Sequence, residues 1–212
     1  MRECTYGQTA AAALGPVLLK AFGKGKKAAY LTPDYTYGHT VQKSISEYLN
    51  KEGGWTTATN QVPFLAREVG QALVEDVYAC TSFWWTMEDK YPLAKMFVAE
   101  FEKKYGYKPE WGANTCYMQF AMWANAVETA GTFYPPEVIK VYESGAKLQS
   151  TSGEVYFRPE DHQLVRPSVI VRGKKTAAMK GKEDHWEVLD ILPGEPLMQK
   201  PDAFGCNLGD YA

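Results

Sequence analysis

Apolar residues along this chain recur by turns at the spacing of helices and at that of strands. Leu93, Phe97 and Phe101 lie four residues apart after Pro92, which predicts an amphipathic helix. The same reasoning predicts helices over 8–22, 38–50, 66–73, 112–130 and 135–144, and strands over 28–32, 55–62, 76–83, 154–157, 168–172 and 186–191. Helices and strands that alternate in this way predict an α/β fold.

One predicted helix differs from the others in its pattern. The segment 112–130 is apolar on nearly all sides, so we expect it to be buried on most of its surface. Beyond residue 153 the chain changes character and consists of short strand-like runs separated by polar turns.

A polar loop follows the first predicted strand and precedes a predicted helix. In open α/β sheets, ligands bind beyond the carboxyl ends of the strands, where this loop lies. It contains Asp34, Tyr35 and Tyr37, which can hold a small polar ligand. The pattern indicates a binding site and provides no obvious means of converting the ligand.

The composition of the chain excludes further classes of function. The chain has 212 residues, a formal net charge of −2 and 45% hydrophobic residues, which is unlike the basic excess of nucleic-acid-binding proteins. No segment reaches the roughly 18–20 apolar residues of a membrane-spanning helix. The apolar stretch near the N-terminus is interrupted by Gly15 and Pro16 and lacks a cleavage site, so we expect any export signal to be absent from this chain.

The sequence offers few candidates for a catalytic or metal site. The three histidines never occur at a metal-ligand spacing, and Gly23–Lys27 lacks the spacing of a phosphate-binding loop, so it is interpreted as a solvated basic turn. We therefore expect no catalytic residue, no metal and no cofactor. The four cysteines, Cys4, Cys80, Cys116 and Cys206, are widely spaced. They can form one or two disulfides, with three possible pairings, or remain as buried thiols, and both alternatives stay open.

Four segments, in this order, resemble one family: 27–49, 68–86, 92–132 and 153–173. They contain the loop at 34–38, the helix ending at Gly106 with Pro109 beyond it, and Asp161-His162-Gln163 before Pro167. The chain resembles type I periplasmic solute-binding proteins, the branched-chain amino acid and amide receptors of ABC transporters.

The resemblance implies two flavodoxin-like α/β lobes that close on a small solute, here in an incomplete form. It begins only at Arg2, near the first crossover of the family, so most of one lobe is expected to be missing. About 60 residues are also absent near 64–66, at about 30 residues for each β-α-β unit. The implied layout is a shortened second-lobe core over 1–110, interlobe helices over 111–152, and a crossover with second-lobe strands over 153–212.

The resemblance also implies candidate ligand-binding residues. Tyr37 matches the pocket tyrosine of the second lobe, and Trp111 matches a position that often carries an aromatic residue facing the cleft. Tyr35 and Trp84 are added because they lie near strand ends. For Trp84 and Trp111, packing at the hinge is the open alternative.

The expected function is reversible binding of an amino acid, amide or related organic acid in the periplasm, with an ABC transporter permease as partner. Because parts of the fold are missing, we expect weak or no binding, and self-association through exposed sheet edges. A cytoplasmic ligand-sensing regulator with the same fold is the alternative function, and an enzyme with a flavodoxin-like core is a more distant one.

Overall fold

The computed structural model of the chain describes residues 6–61, 71–203, 205 and 208. Its helices are α1 (Gly7–Phe22), α2 (Thr36–Gly53), α3 (Gln71–Val74), α4 (Pro92–Tyr105), α5 (Trp111–Ala130) and α6 (Pro135–Glu143). Its strands are β1 (Lys27–Leu31), β2 (Thr56–Gln61), β3 (Tyr78–Thr81), β4 (Leu148–Ser150), β5 (Gly153–Phe157), β6 (Leu164–Val165), β7 (Ser168–Gly173) and β8 (Trp186–Leu192).

The described residues divide into two compact units, which we call the β1 unit (6–80 with 168–192) and the α5 unit (81–167 with 193–208). The layout implied by the family resemblance had its boundaries after residues 110 and 152. The assignment of segments to lobes stays a prediction.

In the β1 unit, β1 and β2 form a parallel pair, and α1 packs against α2. Ile45 and Leu49 of α2 are buried, as the helical spacing predicted. No third strand joins this pair among the residues that the structure describes. Self-association through its edges stays a prediction.

The same unit contains a second sheet, in the order β3-β7-β8. Its central strand contributes Val169, Ile170 and Val171, all of which are fully or almost fully buried. A strand enclosed on both faces has such a continuous apolar run, which explains the pattern seen in the sequence.

The α5 unit combines α4, α5 and α6 with an antiparallel sheet of β4, β5 and β6. Its central cluster contains Met118 and Met122 of α5, and Val155, Phe157 and Leu164 from the sheet. The expectation that α5 is buried on most sides is wrong. Its buried residues lie on the face towards this cluster, whereas Phe120, which points away from it, is 74% exposed.

The segment Asp161-His162-Gln163 forms a buried turn between β5 and β6. Arg158 donates from Nε to Asp161 Oδ1 over 2.8 Å, and His162 Nε2 lies 2.7 Å from Glu143 Oε1. His162 has a positive φ of 55°, a conformation that costs most residues free energy and is held here by these contacts. This part of the family resemblance therefore has a structural role.

The observed ends of the helices and strands can be compared with the predicted ones. Helix α4 begins at Pro92 and ends before Gly106, which adopts the left-handed conformation with a φ of 78°, as predicted. The strand predicted over 76–83 is shorter, because Asp76 has a φ of 58° and the chain bends at Ser82, ahead of a 3₁₀ helix over residues 85–89. The predicted helix over 66–73 lies largely outside the described residues.

The buried carboxylate of Asp184 fastens the loop between β7 and β8. Lys174 Nζ lies 2.6 Å from Asp184 Oδ1, and the Lys180 backbone N–H donates to Oδ2 over 3.0 Å. Burial raises the pKa of Asp184, but the hydrogen bonds from Lys174 and Lys180 outweigh this effect, so the pKa is held below its usual value of 3.8.

The lowered pKa makes this contribution to stability dependent on pH. It is present above the unfolded-state pKa and is lost as the pH falls through the folded-state pKa, below about pH 4. We expect Asp184→Asn to lower the free energy of unfolding at neutral pH by about 1–2 kcal/mol and to weaken the loss of stability in acid. Urea unfolding at several pH values measures this. Asp89→Asn, at an exposed position, serves as the control, and equal acid sensitivity of wild type and Asp184→Asn would contradict the assignment.

Candidate ligand-binding residues

Polar side chains gather where the two parallel strands of the β1 unit end. Thr32 follows β1 and is buried, and its hydroxyl donates to Asn60 Oδ1 of β2 over 2.6 Å. This hydrogen bond links the carboxyl ends of the strands and supports the loop that leads into α2. Neither Thr32 nor Asn60 was predicted as a site residue, although both lie at the ends of neighbouring predicted strands, where ligands bind in α/β sheets.

Helix α2 begins earlier than predicted, which changes the setting of the two tyrosines. Tyr35 is the extended residue before the helix, and its backbone N–H donates to the Pro33 carbonyl over 2.8 Å. Tyr37 lies in the first helical turn rather than in a loop. No side chain caps this helix end and no acidic residue lies in its first turn. The carboxylate of Asp34, two residues before the helix, lies beside His39.

The rings of Tyr35 and Tyr37 are stacked. Their centroids lie 6.1 Å apart with an interplanar angle of 26°, and the residues are 54% and 42% exposed. Beside them His39 Nε2 lies 2.9 Å from Asp34 Oδ1, an exposed contact of small energetic value. The start of α2 therefore presents two accessible phenol rings, an arrangement that can contact a small anionic or aromatic solute.

The two tryptophans of the predicted site lie in the α5 unit, and their surroundings differ. Trp84 is only 4% exposed, directly before the short 3₁₀ helix. Trp111 is the first residue of α5 and is 58% exposed. The burial of Trp84 favours the packing alternative, whereas Trp111 is accessible to a ligand. Ligand contact stays a prediction for all four residues.

Within the described ranges, no group of three or more His, Cys, Asp and Glu side chains has the arrangement of a metal site. No helix in this part of the chain is long and apolar enough to cross a membrane. Cys80 is partly buried and Cys116 is exposed, while Cys4 and Cys206 lie outside the described residues, so the disulfide pairing stays open.

Comparison with known proteins identifies the family. The sequence profile of the periplasmic binding proteins matches residues 65–178, which is more than half of the chain. The chain therefore belongs to the periplasmic binding protein family. A family of binding proteins also agrees with the expectation that the chain is not an enzyme. No curated protein sequence matches it significantly.

Solved structures share the fold at low sequence identity. An amino acid ABC transporter substrate-binding protein from Pseudomonas fluorescens is 20% identical with a TM-score of 0.75, and the match covers 95% of this chain and 68% of that one. A branched-chain amino acid ABC transporter ligand-binding protein from Burkholderia xenovorans is 18% identical, with a TM-score of 0.72 and coverages of 90% and 64%. A solute-binding protein from Rhodopseudomonas palustris, in complex with 3,4-dihydroxybenzoic acid, is 16% identical, with a TM-score of 0.70 and coverages of 88% and 65%.

These findings confirm the predicted fold class. The chain spans about two-thirds of the length of these structures, which is consistent with an incomplete type I periplasmic binding protein fold. The resemblance stated from the sequence segments is also confirmed.

Proposed function

We propose that this chain is a solute-binding component of an ABC transporter that takes an amino acid, an amide or a related small organic acid. The family match supports the class of function. The stacked pair Tyr35–Tyr37 at the N-terminus of α2 is the observation that supports the site. The partners are then the solute and a membrane permease, and the location is the periplasm.

The chemistry of the proposed site is binding alone. The uncapped N-terminus of α2 attracts the carboxylate of the solute. The phenol rings contact the apolar part of the solute, and their hydroxyl groups donate hydrogen bonds to it. Closure of two lobes would complete the pocket and would produce the shape that a permease recognises. Since the chain spans only part of its relatives, we propose that it binds its solute weakly when alone.

A titration followed by nuclear magnetic resonance tests the site even at low affinity. Leucine, glutamine and 3,4-dihydroxybenzoate are added separately to the chain labelled with ¹⁵N. With at least one of them we expect the amide signals of Tyr35, Tyr37 and Gly38 to shift, with a Kd of about 1 mM. Tyr37→Ala should weaken this binding about two- to tenfold, because a stacked aromatic contact contributes about 0.5–1.5 kcal/mol.

Tyr107→Ala is the matched control, because Tyr107 is an exposed tyrosine of the other unit. Its substitution should leave the titration unchanged. If the signal shifts are confined to other residues, the proposed site is wrong. It is also wrong if none of the three solutes shifts any signal. A micromolar Kd would refute the proposal that the chain alone binds weakly.

A further inference from the structure

A group of lysines occupies the end of the β1 unit where α1 leads into β1. Four lysines occur within eight residues, with no acidic residue among them: Lys20, Lys24, Lys26 and Lys27. All four are exposed, and none forms an ion pair within the described residues. This local charge contrasts with the net charge of −2 of the whole chain. We call this surface, together with Phe22, the lysine end.

Hydrogen bonds hold the lysine end in a defined position. The Gly25 N–H donates to the Gly53 carbonyl over 2.8 Å, and Trp55 Nε1 donates to the Gly23 carbonyl over 2.8 Å. These contacts fix the loop beside the C-terminal end of α2. Lys24 and Lys26 therefore extend from an anchored loop, whereas Lys20 belongs to α1 and Lys27 to β1.

An exposed aromatic ring lies directly beside the cations. Phe22 is 47% exposed, and its ring makes edge contacts with Trp55 and Tyr78 at centroid distances of 6.4 and 5.6 Å. One side of the ring is thus supported by the unit while the rest is open to solvent. No atom lies within 4 Å of the positions that a Cβ would take at Gly23 and Gly25, so the loop next to Phe22 is also open.

The lysine end is separate from the proposed solute site. Strand β1 starts at Lys27 and leads towards Tyr35 and Tyr37, so the two regions lie at opposite ends of the strand. Five residues of strand span about 16 Å. Substitutions at one end can therefore be tested without altering the other.

We propose that the lysine end is a peripheral docking surface for an anionic phospholipid bilayer. Clustered lysines match the negative phosphates of such a surface, and each contributes about a fivefold gain in affinity at low salt. An exposed phenylalanine at the same place can enter the boundary between headgroups and acyl chains. An acidic protein would match the lysines equally well, but the open ring of Phe22 favours a partner that has an apolar layer below its charges.

Vesicle flotation tests this proposal, because protein that merely aggregates does not float. The chain is mixed with vesicles of phosphatidylglycerol and phosphatidylcholine, or of phosphatidylcholine alone. We expect the chain to float with the anionic vesicles at low salt, to be released as salt is raised, and to remain unbound with the neutral vesicles.

Two variants separate the contributions of charge and ring. The triple variant Lys24→Gln, Lys26→Gln, Lys27→Gln should bind anionic vesicles about ten- to a hundredfold more weakly. Phe22→Ser should weaken binding severalfold and retain the salt dependence; circular dichroism verifies its folding, because Phe22 also contacts Trp55. The matched control for charge carries three substitutions at exposed positions of α4: Lys95→Gln, Lys103→Gln and Lys104→Gln.

The control has the same net charge as the triple variant and should bind like the wild type. Equal losses in both would overturn the proposal, because binding would then follow net charge alone. Failure of the wild type to float with anionic vesicles at low salt would also overturn it. Binding to soluble polyglutamate without flotation would overturn it in favour of an acidic protein partner.

Discussion

Gly38→Ala is expected to lower the free energy of unfolding by about 2 kcal/mol and to displace the start of α2. A Cβ at position 38 would overlap the carbonyl oxygen of Pro33. That atom belongs to the backbone and accepts the Tyr35 N–H, so it cannot move without disturbing the loop. Adding atoms to a closely packed place costs about 1–3 kcal/mol, and the higher helix propensity of alanine offsets only part of that.

The effect should reach the proposed solute site, because Gly38 directly follows Tyr37. Moving the first turn of α2 away from Pro33 changes the position of the Tyr37 ring relative to Tyr35. We therefore expect Gly38→Ala to weaken solute binding as well as folding. The prediction about folding does not depend on the proposed function.

Gly112→Ala provides the control, since Gly112 also lies in the first turn of a helix. No atom lies within 4 Å of its Cβ position, so alanine should be neutral or should stabilise by about 0.5–1 kcal/mol. Urea unfolding of both variants measures the difference, and hydrogen exchange of peptides from 27–61 assigns the Gly38 effect to the β1 unit. Equal stabilities of the two variants would show that no close approach exists at Gly38.

Phe83→Ala should strongly lower the free energy of unfolding of the α5 unit. Phe83 is fully buried, and its ring packs edge-on against Phe97 with a centroid distance of 5.8 Å. Removing a buried phenylalanine leaves a cavity and costs about 3–5 kcal/mol. A loss of this size is comparable to the whole stability of a marginal domain, so the α5 unit is expected to be largely unfolded or close to it.

Tryptophan fluorescence reports the change, because Trp84 and Trp85 follow Phe83 directly. Phe120→Ala removes the same side chain from an exposed position of α5 and should alter the free energy of unfolding by no more than about 0.5 kcal/mol. A small effect of Phe83→Ala, or a large one of Phe120→Ala, would mean that the burial pattern of this unit is assigned incorrectly.

Local chemistry explains why much of the fold was predictable. The period of the apolar residues identified α2 and α4, and Pro92 and Gly106 marked the ends of α4, because these residues act through the backbone of their own segment. The family resemblance extended this to the type I fold. Tyr35 and Tyr37 could be proposed as site residues because they follow a strand.

Burial was much less predictable from the same sequence. Helix α5 is apolar on nearly all sides, yet its buried residues lie four apart on one face, and Phe120 is left exposed. Trp84 and Trp111 were equivalent as sequence candidates, but one is buried and the other exposed. The hydrogen bond from Thr32 to Asn60 joins residues 28 positions apart, so neither residue indicates it alone.

The sequence by itself determined the local elements, the family and the position of the aromatic loop after β1, because each depends on neighbouring residues or on the order of segments. The tertiary structure decided which aromatic residues are accessible, where α2 approaches Pro33, and how the lysine end is held beside α2. Those features depend on contacts between segments distant in the chain, and the free energy of such contacts is set only when the segments pack together.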